Sequence, residues 1–228
     1  MDELIQIQNL SKRYGKGNTE KVVLKNINLT VHKHDFIAIV GPSGSGKTSL
    51  INSIGILDDN YQGKIFFNSM DLSELTKTQK SELRKEYIGF LFQKSNLIYN
   101  LSVEENIELP LLLSSKIFSP LERKQKIEYL LTTMGISDKK NNNISNLSWG
   151  ELQRVSFARS VVHNPKVLIL DEPTGSLDKE NRDIIAKILE DLFLDSSLTI
   201  LLVTHDLDLA NRAQRIIYLK NGNLVDKL

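Results

Sequence analysis

The stretch Gly41-Pro42-Ser43-Gly44-Ser45-Gly46-Lys47-Thr48-Ser49 decides how this chain reads. It fits the pattern G-x-x-x-x-G-K-[ST], with Gly41, Gly46, Lys47 and Thr48 in the fixed places. Phe36-Ile37-Ala38-Ile39-Val40 precedes it as an apolar run of strand length. Leu50, Ile51 and Ile54 follow at helical spacing, so the context is strand, glycine-rich loop, helix. Glycines at 41, 44 and 46 allow a tight turn that brings backbone N–H groups against phosphate oxygens, and the helix N-terminus adds its dipole. Lys47 offers a point charge to the outer phosphates, and Thr48 a hydroxyl to Mg2+. Ser43, Ser45 and Ser49 complete the candidate phosphate-binding set.

Working outward, Leu4 to Gln8 alternates like a half-buried strand, and Ser11 to Asn18 reads as a polar loop whose one aromatic is Tyr14. Val22 to Leu24 and Ile27 to Val31 read as strands leading towards the phosphate loop. His32 and His34 flank a turn and read as surface residues. Ser73 to Tyr87 is expected to be a surface helix, and Ile88 to Phe92 a strand ending at Gln93. From Lys94 to His163 the texture turns helical. A helix near Glu104 is expected to be interrupted by Pro110, and Glu122 to Met134 puts Ile127, Leu130, Leu131 and Met134 on one face before Gly135. This segment, 94–163, is expected to be a helical lobe inserted between core segments 1–93 and 164–228.

Ser148 and Glu151 have the spacing of a capping box. Val167 to Leu170 is an apolar strand delivering Asp171 and Glu172 at its end, and Asp178 is placed to cap the next helix. In that helix, Ile184, Ile188 and Leu192 form one row and Ile185, Leu189 and Phe193 another. Thr199 to Thr204 is a further strand, ending at His205, and Asn221-Gly222 signals a two-residue hairpin turn. Strands alternating with helices imply a mainly parallel α/β sheet with antiparallel additions.

The 228 residues carry 29 Lys plus Arg against 28 Asp plus Glu, a net charge of +1. That balance gives no electrostatic reason to expect nucleic acid as a partner. With no cysteine, disulfides, thiolate metal sites and cysteine nucleophiles are excluded. No apolar run reaches membrane-spanning length, and the first residues do not have the pattern of a signal peptide.

In a parallel sheet, groups at strand C-termini gather beside the phosphate loop. Asp171 is the carboxylate suited to Mg2+, and adjacent Glu172 could accept a proton from an attacking water. Gln93 and His205 end other strands and could reach the terminal phosphate.

These motifs resemble those of the nucleotide-binding subunit of an ATP-binding cassette (ABC) transporter. Gly41 to Thr48 matches Walker A, Gln93 the Q-loop, and Leu147-Ser148-Trp149-Gly150-Glu151 the signature. Val167 to Pro173 matches Walker B with Glu172 as the catalytic carboxylate, Ser176-Leu177-Asp178 the D-loop, and His205 the switch histidine. The resemblance implies a P-loop NTPase (RecA-like) α/β core with an antiparallel β subdomain and an inserted helical subdomain, using ATP and Mg2+. It implies catalytic roles for Glu172, His205 and Gln93, and metal contacts from Thr48, Gln93 and Asp171. Adenine would stack on Tyr14. A second copy would close the sandwich with Ser148, Gly150, Glu151 and Asp178, and a separate integral-membrane permease would be the partner at the cytoplasmic face of the membrane. Trp149 stands where the family usually has glycine, and its indole is expected to pack sideways from the nucleotide; Glu151 replaces the commoner glutamine. The stretches Asn100 to Leu113 and Asp171 to Asp178 resemble the group of lipoprotein-releasing (LolD-like), efflux (MacB-like) and cell-division (FtsE-like) subunits. The last of these imply an alternative role, a regulatory clamp without transport.

Overall fold

A computed structural model describes residues 2–15, 17–175, 177–195 and 197–226. Ser176 of the D-loop match lies outside them. β1 (Glu3–Tyr14) and β2 (Lys21–His32) form a long antiparallel pair, with Ile7 opposite Leu29. β4 (Gln62–Phe67) pairs on the other side of β1, and short β5 (Met70–Asp71) completes a four-stranded sheet ordered β2-β1-β4-β5. A second, six-stranded sheet has the order β10-β9-β3-β8-β7-β6. Its members are β3 (Phe36–Val40), β6 (Ile88–Leu91), β7 (Val167–Asp171), β8 (Thr199–Thr204), β9 (Arg215–Lys220) and β10 (Asn223–Val225). All neighbours in it are parallel except the β9–β10 hairpin. At that hairpin Asn221 (φ 50°) and Gly222 (φ 81°) are both left-handed, as a type I′ turn requires.

The parallel strands are buried on both faces, so every residue of β3, β7 and β8 is apolar or enclosed. Phe36, Ala38, Val40, Leu168, Leu170, Ile200 and Leu202 face one core. There they meet α3 (Val103–Leu113), α4 (Pro120–Thr133), α5 (Trp149–Val161) and α6 (Lys179–Asp195). Ile37, Ile39, Val167, Ile169, Leu201 and Val203 face the other core, with α1 (Lys47–Ile54), α2 (Lys77–Tyr87) and the antiparallel sheet. The one-turn helix α7 (Leu207–Ala210) follows β8. No helix among the described residues is long and apolar enough to cross a membrane.

Several local expectations need correction. The expected loop from Ser11 is strand as far as Tyr14, because polar Ser11 and Arg13 alternate with Lys12 and Tyr14 along a stretch paired to β2. β1 and β2 form a separate antiparallel sheet and do not run into the phosphate loop. The helix expected from Ser73 begins at Lys77, where Thr76 and Gln79 form a capping box; Leu72 to Glu74 is a separate 3-10 turn. Pro110 lies inside α3 and does not interrupt it. His34 is exposed but stacks on Phe193, with ring centroids 4.3 Å apart. Ile184 is exposed, whereas Ile185, Ile188, Leu189 and Phe193 are buried.

Candidate functional site

β3 delivers the chain into the Gly41–Gly46 loop at the C-terminal edge of the parallel sheet. Only glycine fits at 41, since a Cβ there would run into the Leu219 carbonyl oxygen. Gly44 (φ 76°) and Gly46 (φ 108°) take left-handed backbone that side chains rarely adopt. Gly46 heads α1 without any side-chain cap, whereas α2, α3, α4 and α5 each begin with a complete capping box. The first N–H groups of α1 are therefore left for an acceptor other than a side chain, at the positive end of a helix dipole. Buried Ser45 Oγ also lacks a hydrogen-bond partner. Phosphate oxygens suit both features. The Lys47 side chain is buried against the loop and its ammonium donates to Gly41 O at 2.7 Å and Pro42 O at 3.2 Å. Ser43 is exposed on the loop rim.

Thr48, on the first turn of α1, donates to Asp171 Oδ2 at 3.2 Å. Hydroxyl and carboxylate are thus neighbours, a pair of hard oxygen ligands suited to Mg2+. Burial at the end of β7 pushes the Asp171 carboxyl above its ordinary range. Thr48 opposes this through its hydrogen bond, the Glu172 charge adds to it, and Lys47 opposes it. Glu172 adopts φ 49°, and its N–H donates to Val203 O at 2.9 Å, so the carboxylate turns off the strand end towards β8. Its Oε2 accepts the His205 backbone N–H at 3.2 Å and lies 2.7 Å from His205 Nδ1. His205 thereby fixes one oxygen of a carboxylate that stands beside the Thr48–Asp171 pair.

Tyr14, at the end of β1, joins the same edge. Its hydroxyl accepts from Ser49 Oγ and donates to Asp58 Oδ2, both at 3.4 Å, and the residue is 44% exposed. Gln93 is exposed two residues past β6, and no hydrogen bond among the described residues joins it to Thr48 or Asp171. The structure therefore brings together the loop, Tyr14, Asp171, Glu172 and His205 through hydrogen bonds, while Gln93 follows β6, the strand paired to β7.

Ser148, Gly150 and Glu151 form a second group. Ser148 N donates to Glu151 Oε2 at 2.8 Å and Glu151 N to Ser148 Oγ at 3.4 Å, closing the expected box. The Ser148 N–H and hydroxyl hold the Glu151 carboxyl below its usual range against the effect of burial, with Lys139 assisting. Gly150 packs where a Cβ would run into Asn181 Oδ1. Trp149 lies in the first turn of α5, 41% exposed. Asp178 caps α6 by accepting Asn181 N–H at 2.9 Å. No hydrogen bond among the described residues joins this group to the phosphate loop of the same chain.

Sequence reading missed the residues that tie these parts together. Gln153 donates to Pro173 O at 2.9 Å, linking α5 to the turn after Glu172. Arg159 donates to Asn96 O and Ser95 O, both at 2.9 Å, linking α5 to the loop after Gln93. Lys12 is buried beneath Tyr14; its position two residues before Tyr14 on one strand was the only available signal.

A family profile described as ABC transporter matches residues 24–175. The macrolide export ATP-binding/permease protein MacB of Mannheimia succiniciproducens is 40% identical over 223 residues, 98% of this chain and 34% of that protein. The chain thus spans about a third of the length of that relative. The uncharacterized ABC transporter ATP-binding protein MJ1508 of Methanocaldococcus jannaschii is 36% identical over 98% of both chains. A solved dimer, a post-hydrolysis state of the ATP-binding cassette MJ0796 bound to ADP and Pi, superposes with a TM-score of 0.91. It is 34% identical and covers 97% of this chain and 96% of that one. A family profile over two thirds of the chain and relatives alike along nearly its whole length point the same way, and this chain belongs to the ABC transporter family as an ATP-binding cassette.

Proposed function

We propose that this cassette powers a membrane permease, acting as two copies that enclose ATP between them at the cytoplasmic face of the membrane. The relative MacB joins such a cassette to a permease in one chain, and the MJ0796 cassette forms a dimer. By that likeness the cargo is a peptide, lipoprotein or drug-like molecule that is exported or released; the division into a core of 1–93 and 164–228 and a helical lobe of 94–163 belongs to the same reading.

The observation that carries the proposal is Glu172 turned off β7 beside Asp171 and held by His205. Lys47 and the α1 N-terminus would hold the outer phosphates, Tyr14 the adenine, and Thr48 and Asp171 the Mg2+, with Gln93 reaching it as the loop moves. Bound Mg2+ neutralises phosphate charge as it builds up in the transition state. Glu172 accepts the proton of the attacking water, while His205 keeps its carboxylate in place. The Ser148-headed terminus of α5, with Gly150, Glu151 and Asp178, would serve the partner copy's nucleotide. That role fits a group that, among the described residues, has no hydrogen bond to the loop in its own chain.

The test is Glu172→Gln. ATP binding should persist while turnover falls about 10²–10⁴-fold, since the amide cannot accept the proton. Light scattering with Mg-ATP should then show a dimer. Wild-type turnover in the variant would sink the assignment.

A further inference from the structure

Lys12 is among the most deeply buried large side chains of the protein, with no exposed side-chain surface. A buried ammonium has to be held, because isolating such a charge from water is costly. Here Lys12 Nζ pairs with Asp58 Oδ2 at 2.7 Å and donates to Asn60 O at 2.8 Å. Its third neighbour is the Tyr14 ring, 5.2 Å from Nζ to the centroid, within cation–π range. Strand alternation explains the geometry, since residues two apart on β1 share a face. Asp58 closes the circuit: the oxygen that pairs with Lys12 also accepts the Tyr14 hydroxyl, while Oδ1 accepts Asn60 N–H at 3.0 Å. Burial raises the Asp58 carboxyl, but Lys12, the Asn60 N–H and the Tyr14 hydroxyl together hold it below its ordinary range. Ser49 reaches the same Tyr14 hydroxyl from α1, directly behind the phosphate loop.

We infer that Lys12 is a positioning residue for nucleotide binding: its buried ammonium, locked by Asp58 and Asn60, fixes the Tyr14 ring as a flat platform at a set distance from the phosphate loop. The inference rests on the proposed role of Tyr14 as the surface for the base. Fixing the ring beforehand removes the entropy that a free side chain would lose on stacking. A cation under one face of the ring also leaves the other face for an aromatic base. The functional consequence is selectivity by ligand part, because Lys12 bears on the base and leaves the phosphates to the loop.

The experiment compares ATP with inorganic tripolyphosphate, which engages the phosphate loop but has no base, by calorimetry on the full chain. Lys12→Met should weaken ATP roughly tenfold, within the range of base–aromatic stacking, and leave tripolyphosphate affinity unchanged. In a Tyr14→Ala background, Lys12→Met should cause no further loss of ATP. Unchanged ATP affinity in the single variant, an equal loss of both ligands, or a full further loss in the Tyr14→Ala background overturns the inference. Lys12→Gln, which keeps a donor for Asp58 and Asn60, should show the same selective loss in smaller measure and decides the matter if Lys12→Met fails to fold. A wild-type protein that binds tripolyphosphate but not ATP would refute the base platform itself, which is a separate failure from that of Lys12.

Discussion

Asp171 shows how a single side chain can serve chemistry at the expense of the fold. Its burial disfavours the charged form, and the raised carboxyl means that the folded chain binds a proton more readily than the unfolded one. The fold therefore loses stability as pH rises from the ordinary carboxylate value through the raised one. Asp171→Asn removes both the buried charge and the repulsion from Glu172. The variant should melt about 2 °C higher without nucleotide, the change that roughly 1 kcal/mol makes at this size, and should have no measurable ATPase activity. A lower melting temperature would show that the Thr48 bond outweighs burial. Asp171, Glu172 and Lys47 were legible in the sequence because each stands at a fixed step from a strand end or a glycine. Lys12 was not, because a lysine between Ser11 and Arg13 looks like solvated surface until the partner 46 residues away, Asp58, is brought in by the fold.

Capping was partly readable at the level of elements. Ser148–Glu151 and Asp178 announced their helices, and the same spacing at Ser102–Glu105 and Ser119–Glu122 was present but not used. Pro110 misled because its missing N–H falls within a helix whose next turn still closes, with Ser114 N–H on Pro110 O at 3.0 Å. Asn106 was invisible as a structural residue. Fully buried on α3, it accepts Ile98 N–H at 2.8 Å and donates to Ile98 O at 3.0 Å and Ser102 O at 2.9 Å, stapling the turn that enters α3. Asn106→Ala leaves the Ile98 N–H without its acceptor, while Ile98 O and Ser102 O keep the backbone N–H groups of Leu101 and residue 106, and should cost about 1–3 kcal/mol for that one donor kept from water. The denaturant midpoint reads this directly, and a shift within error would mean that water replaces the amide. The loop between Gln93 and α3 should also become more protease-sensitive.

Across the whole molecule, alternation and turn signals gave the parallel sheet, whereas the separation of β1, β2, β4 and β5 into their own sheet depended on long-range pairing that no local pattern encodes. His163, two residues past α5, is a buried titratable group outside the candidate site. Burial, with the Lys116 and Lys126 charges, pushes its imidazole below the ordinary value, against the pull of the Ile88 backbone and Glu86. The unfolded chain then binds a proton that the folded one refuses. Stability is complete above about pH 6.5 and declines as pH falls from there towards the lowered value. His163→Phe should flatten that decline in urea titrations between about pH 5 and 7; an unchanged slope would assign it to other groups. The wall between the two cores has a further consequence. Because successive residues of β3, β7 and β8 point into opposite cores, neither core can melt and leave the other intact. The strands act as a shared hinge-pin for cooperativity, so a two-sheet, two-core molecule should come apart in a single step.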